Sequence, residues 1–166
     1  MTPFRFEHDF KTASIAQVFR AYFDPALAAE HDRLSKVARR EELERHDSAE
    51  RLVVLSKVVP ERQFPVFLKP FVSGDLHYTE RVVWERGQDR LDIDIRPSLM
   101  GKRTRIRISY LVSQPRPGVV HRVYEGDVTV EIALIGGRAE RFIIDDIGET
   151  LGKTSACTQE WLDAHP

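Results

Sequence analysis

A single cysteine, Cys157, occurs in the 166 residues. One thiol cannot form an intramolecular disulfide or a cysteine metal cluster. Charge of one sign is also missing: 25 Lys and Arg stand against 26 Asp and Glu, for a net charge of −1. Surfaces built for nucleic acid or anionic membrane usually carry a basic surplus, so neither is an expected partner. Charges do cluster, as in ARREELERHDSAER from Ala38 to Arg51. Their signs are mixed, which reads as a solvated face. No run approaches the roughly 18 apolar residues of a membrane-spanning helix, so stable membrane insertion is not expected. The opening MTPFRFEHDFKTA carries acids early and no apolar run, unlike a secretory leader. The expectation is a soluble, cytoplasmic protein.

Catalytic signatures are missing as well. There is no G-x-S-x-G elbow, no P-loop and no dinucleotide glycine fingerprint. The six histidines, His8, His31, His46, His77, His121 and His165, show no metal-ligand spacing. Neither a metal nor a cofactor is expected. No histidine can be placed beside Cys157, so nothing argues for a nucleophile.

What is present is a pattern of elements. At 166 residues the chain is expected to form one domain, residues 1–166. A chain of this size buries roughly two-thirds of its unfolded surface, enough for a core. Phe4, Phe6, His8 and Phe10 alternate with charged residues, which predicts a strand with one aromatic face. Thr12 or Ser14 can cap a helix carrying Ile15, Val18, Phe19, Tyr22 and Phe23. Asp24-Pro25 ends it and can start a second through ALAAEHDRL. KVARREELERH and RLVVLSKVV flank the turn DSAE as a hairpin. QFPVFLKPFVSG reads as an apolar loop. DLHYTERVVWER, RLDIDIRP, TRIRISYLVS and VVHRVYEGDVTVEIALI read as four further strands. The last is expected to be the longest, with Val128, Val130, Ile132 and Leu134 on one face.

Short turns imply antiparallel pairing, and one-sided alternation implies one wet and one covered sheet face. The cover is expected from the C-terminal segment. Ile143, Ile144, Ile147, Leu151, Thr154, Thr158, Trp161 and Leu162 share one side of a helix. Such a helix, about 26 residues and about 39 Å long, must cross several strands of a strongly bent sheet. Gly136-Gly137 fits the junction into it. Gly148 and Gly152 each cost roughly 1 kcal/mol inside a helix. They are read as tolerated weak spots, or as a bend or close approach beside a ligand or second subunit.

Strand, two short helices, six strands and a long C-terminal helix is an order that resembles the START-like superfamily, also called Bet v 1-like, SRPBCC or helix-grip. Closer likenesses are carried by FRFEHDFKTASIAQVFRAYFDPA at the start, P-x-F-L in FPVFLKPF, VVWE at Val82–Glu85, and LIGGRAERFIIDDIGETL with TQEWLDAH at the end. In that order they are similar to a bacterial family of unknown function, DUF2505. The resemblance implies an α+β helix-grip fold: a curved antiparallel sheet of about seven strands with the long helix across its concave face. It also implies a deep apolar cavity between them. Superfamily members carry lipids, sterols, polyketides or plant hormones, some are cyclases or hydrolases, and some bind protein partners. No catalytic residue carries over.

On that basis the expected cavity lining is Tyr78, Glu80, Val82, Trp84, Ile93, Ile106, Ile108, Tyr110, Val128, Val130, Ile147, Leu151 and Thr154. Phe64, Phe67, Leu68 and Phe71 are either a plug at one end of the core, or a mobile gate over the cavity mouth or an apolar contact for a membrane or partner. Alternation places Glu80 on the covered face, where a lone carboxylate is expensive. It could face water at a bulge, pair with an arginine, or anchor a ligand. Tyr78 and Tyr110 are core residues or hydroxyls that orient a ligand. Thr154 and Thr158 suggest a hydrated end of the interior, or a rim. The expected ligand is one small hydrophobic or amphipathic molecule. A cyclase- or hydrolase-type enzyme and a filled interaction module are the alternatives, and the oligomeric state is left open.

Overall fold

The computed structural model describes residues 1–61, 65–71, 74–98 and 103–166. The chain opens with strand β1 (Thr2–Lys11) and two short helices, α1 (Ile15–Tyr22) and α2 (Pro25–Leu34). Strands β2 (Val37–Asp47), β3 (Arg51–Pro60), β4 (Tyr78–Glu85), β5 (Arg90–Pro97), β6 (Thr104–Arg116) and β7 (Val119–Val130) follow. Helix α3 (Gly136–Ala164) closes the chain. The seven strands form one antiparallel sheet in the order β1-β7-β6-β5-β4-β3-β2. This is the α+β helix-grip arrangement, with an unclosed sheet.

Local chemistry explains the elements. Ser14 caps α1 by accepting from the Gln17 N–H, and Asp24 caps α2 by accepting from the Leu27 N–H, with Pro25 in the first turn. β2 is an edge strand, exposed from Ala38 to its end. Its run of arginines and glutamates suits an edge that must not recruit another strand. The inner faces of the other strands hold the core, with Phe10, Val58, Leu91, Val120 and Val128 shielded from solvent. On the outer face, Arg107 pairs with Asp127, and Asp94 with Arg105 and Arg96.

Three expectations need correction. β7 stops at Val130, so β6 is longer, and Ile132 and Leu134 are not strand residues. The chain turns there: the Ile132 N–H donates to the Val130 carbonyl and the Gly136 N–H to the Ile132 carbonyl. Leu134 adopts φ 72° and is wholly exposed. The second correction concerns Gly136, which lies in the first turn of α3 rather than before it. A Cβ at Gly136 would stand 2.4 Å from the Val130 carbonyl oxygen, so close approach selects the glycine. The third is FPVFLKPF, which is not all loop: Val66–Phe71 forms a short 3-10 helix. Phe64 lies outside the described residues.

α3 has 29 residues. It packs closely on β1 and β7 and on α1 and α2, with no comparable approach to β4 or β5. Gly148 is a close approach to β1, since a Cβ would stand 2.8 Å from the Phe6 ring. Gly152 faces open space. The start of α3 has no side-chain cap. Instead the buried Glu140 carboxylate accepts from the Val130 N–H at 2.9 Å and from the Thr2 hydroxyl, and takes the Met1 amino group at 3.0 Å. Burial alone would raise the Glu140 carboxyl, but these donors outweigh it and hold it below its usual value.

Candidate functional site: the inner sheet face beneath the C-terminal helix

The register fixes which side chains share the inner face. Glu80 lies between Ser56 and Ile95, and Ile95 opposes Ile106, which opposes Val128. Val82 opposes Ile93, and Ile93 opposes Ile108. Tyr110 lies between Leu91 and Tyr124, and Tyr124 opposes Phe6. Val82, Ile93, Ile106, Ile108, Tyr110, Val128 and Val130 are buried, while Tyr78, Glu80 and Trp84 are half-buried. From α3, Thr154 is buried and Ile147 and Leu151 are half-buried.

Glu80 sits in an unbroken ladder and pairs with Arg40 at 2.7 Å, and Arg40 also holds Asp32 at 2.9 Å. The ion pair joins β4, β2 and the end of α2. Tyr78 and Tyr110 are not brought together. Tyr78 opposes Pro97 and Tyr110 opposes Leu91, six positions along β5, or about 20 Å of strand. Burial, with Tyr124 nearby, pushes the Tyr110 hydroxyl far above its usual range. Tyr22 and Tyr124 are raised for the same leading reason. These phenols stay protonated near neutral pH and serve as donors rather than bases.

Thr154 and Thr158 are buried and do not form a wet rim. Their hydroxyls donate back to the Thr150 and Thr154 carbonyls, one turn up the helix. The Thr158 hydroxyl also meets His31 Nε2 at 3.0 Å. Around the 3-10 turn, Leu68 is buried in the core, Phe71 is exposed, and Phe67 lies under the Arg138 guanidinium of α3 at 4.1 Å.

Tyr124 and Arg122 also lie on this face, beyond the expected lining. Counting back from Val128 by twos reaches Gly126, Tyr124, Arg122 and Val120. Arg122 therefore points inward, opposite His8 on β1 and Val112 on β6, and is 6 % exposed. Its Nη2 donates to the Ser155 hydroxyl at 2.6 Å. The guanidinium lies over Phe10 at 4.6 Å and Tyr124 at 5.1 Å. Its Nε has no hydrogen-bond partner among the described residues. Burial and Arg122 lower the basicity of both His8 and His31. The alternation rule that flagged Glu80 also reaches Arg122, once carried past Val128. No local signal reveals Ser155 or His31, because their positions depend on how α2 and α3 dock.

Two hollows lined wholly by described residues lie elsewhere. One, about 340 Å³, is on the outer face among Arg81, Arg90, Asp92, Arg107 and Asp127. The other, about 260 Å³, lies beside Arg39, Lys57, Asp75 and His77. Neither is lined by α3. No group of three or more histidine, cysteine or acidic side chains among the described residues could hold a metal ion. No helix among the described residues is long and apolar enough to cross a membrane.

The fold recurs in solved structures with little sequence identity. The TTHA0849 protein of Thermus thermophilus matches with TM-score 0.65 at 14 % identity, covering 99 % of both chains. A START superfamily protein from Mycobacterium smegmatis matches with TM-score 0.60 at 9 % identity, again over 99 % of both. The ZhuI aromatase/cyclase of a Streptomyces species matches with TM-score 0.53 at 10 % identity, over 97 % of this chain and 92 % of that one. These likenesses show a START-like fold. No curated protein matches the chain. The pattern of the DUF2505 family, described as a protein of unknown function, matches residues 5–162, and the chain belongs to that family.

Proposed function

We propose that the protein binds or carries one small hydrophobic or amphipathic molecule between the inner sheet face and α3. The observation that carries this reading is the incomplete burial of apolar side chains on the sheet and on α3. Ile95 and Tyr124 of the sheet and Ile143, Ile144 and Ile147 of α3 pack against the core yet remain partly exposed. α3 approaches β1 and β7 closely but not β4 or β5, and at β4 it is α1 that lays Phe19 and Phe23 over Trp84. A ligand wedged into that side would complete the burial. Removing about 300 Å² of ligand carbon from water yields on the order of 7 kcal/mol before association costs. Micromolar binding corresponds to about 8 kcal/mol net, so polar contacts or further buried area must add to this gain.

An enzymatic reading draws less support. Glu80 is committed to Arg40, Tyr78 and Tyr110 lie far apart, and the buried phenols are poor bases. The aromatase/cyclase likeness is a likeness of fold.

The neutral fluorophore N-phenyl-1-naphthylamine tests the reading. Its emission is expected to brighten, shift to the blue and saturate at one molecule per chain. Ile108→Trp, which fills the inner face, is expected to weaken binding by about tenfold while the far-ultraviolet spectrum is unchanged. No saturable binding, together with no co-purified small molecule in native mass spectra, would overturn the reading.

A further inference from the structure

Arg122 is a charge in the interior without a countercharge. No carboxylate among the described residues forms an ion pair with it. The residue does have a mechanical role, since Nη2 bolts β7 to α3 through Ser155. That role uses one of five donors, and the Tyr110 hydroxyl lies within reach of the guanidinium as a further partner. Two aromatic faces give electrostatic support but accept no strong hydrogen bond. A buried guanidinium left in this state is costly, and an apolar side chain of similar volume would pack β7 against α3 at lower cost. The surrounding groups are neutral donors or acceptors: the Tyr110 and Tyr124 phenols, the Ser155 and Thr158 hydroxyls, and the rings of His8 and His31. The polar cluster is therefore positive, has Arg122, Tyr110, Ser155 and Thr158 buried and His8, His31 and Tyr124 half-buried, and lies next to the apolar inner face.

We propose that Arg122 is an internal anion site that receives the carboxylate of an amphipathic organic acid whose hydrocarbon part lies along the inner faces of β4–β6. The inference rests on the reading that a small molecule occupies the space beneath α3, and it names the chemical class of that molecule. A carboxylate is planar and takes two donors of a guanidinium at once. Nε, the donor with no partner, is on one edge of the fork that such a pair uses. The phenol of Tyr110 or the ring of His31 can satisfy the second oxygen. A neutral alcohol of the same chain length gains the apolar contacts but leaves the charge uncompensated.

Decanoate, decanol and acetate, each competing against bound N-phenyl-1-naphthylamine, separate the possibilities. Decanoate is expected to displace the fluorophore at about tenfold lower concentration than decanol, and acetate to compete far more weakly than either. In Arg122→Gln the preference for decanoate over decanol is expected to disappear. In Ser155→Ala, which frees a second donor of Arg122, the preference is expected to persist. A measurement on the wild-type protein covers the case in which Arg122→Gln does not fold. The bound carboxyl of decanoate labelled with carbon-13 should titrate at lower pH than free decanoate, because an adjacent cation favours the ionised form. Equal displacement by decanol and decanoate, or a bound carboxyl titrating at or above its free value, overturns the acid site while the fluorophore result leaves the binding space standing. Acetate competing as well as decanoate also overturns it, since the site would then take a simple anion. Failure of the fluorophore to bind overturns both readings.

Discussion

Two glycines four residues apart in α3 show how one environment differs from the next. Gly152 has no atom within 4 Å of a Cβ, so Gly152→Ala adds helix propensity at no steric expense. It is expected to raise stability by about 1 kcal/mol. Gly148 meets the Phe6 ring, which stands 5.8 Å from Phe4 and packs against the core. There the gain in propensity is outweighed by the displacement of a packed ring, and Gly148→Ala is expected to lower stability by about 1 kcal/mol. Urea unfolding at unchanged slope reads both. Equal effects at the two sites would show that the Phe6 contact does not matter. The same residue-level logic separates Glu80 from Arg122. Both are charges on the covered face, but one has found its counter-ion on β2 and the other has only hydroxyls and rings.

At the scale of elements, the junction between β7 and α3 carries visible strain. Leu134 adopts a left-handed backbone that a branched side chain disfavours, and its side chain contacts solvent only. Leu134→Asn keeps the conformation at lower cost and is expected to stabilise the protein by about 1 kcal/mol, or about 2–4 °C in Tm. A fall in Tm would mean that Leu134 has an apolar partner. This junction was also where sequence reading failed. Alternation continued through Glu131–Leu134, and nothing in those residue types says that the Val130 carbonyl would turn the chain. The rest of the element order was legible because its signals are local: caps at Ser14 and Asp24, period-two runs, and a helical stripe from Ile143 to Leu162. What was not legible is tertiary. The stripe is apolar throughout, yet α3 settles on β1 and β7 and buries Ser155 and Thr158 more deeply than Ile143 or Ile147.

At the scale of the whole molecule, these polar interiors make stability depend on pH in two stages. His8 and His31 are held below their ordinary value of 6.5, first by burial and then by Arg122. His31 also faces Thr158, Asp32 and Glu30, and His8 faces Asp9. A histidine with a lowered folded value binds fewer protons folded than unfolded. Its contribution is therefore complete above 6.5 and is lost as pH falls from there toward the folded value. Glu140 is held below 4.5, so its contribution is complete above 4.5 and is lost as pH falls further. Asp94, held down by Arg105 and Arg96 against its own burial, adds to the acid stage below 3.8. Tm is thus expected to fall as pH drops below about 6.5, and again below about pH 4.5. His31→Gln should flatten the first step and Glu140→Gln the second, whereas a flat profile across the first range would contradict the account in which half-buried His8 and His31 are held low. The first step also connects stability to the proposed ligand. A carboxylate on Arg122 would cancel the cation that helps depress His8 and His31, and would itself attract their protons. With decanoate bound, the loss of Tm across that range should shrink, and with decanol it should not.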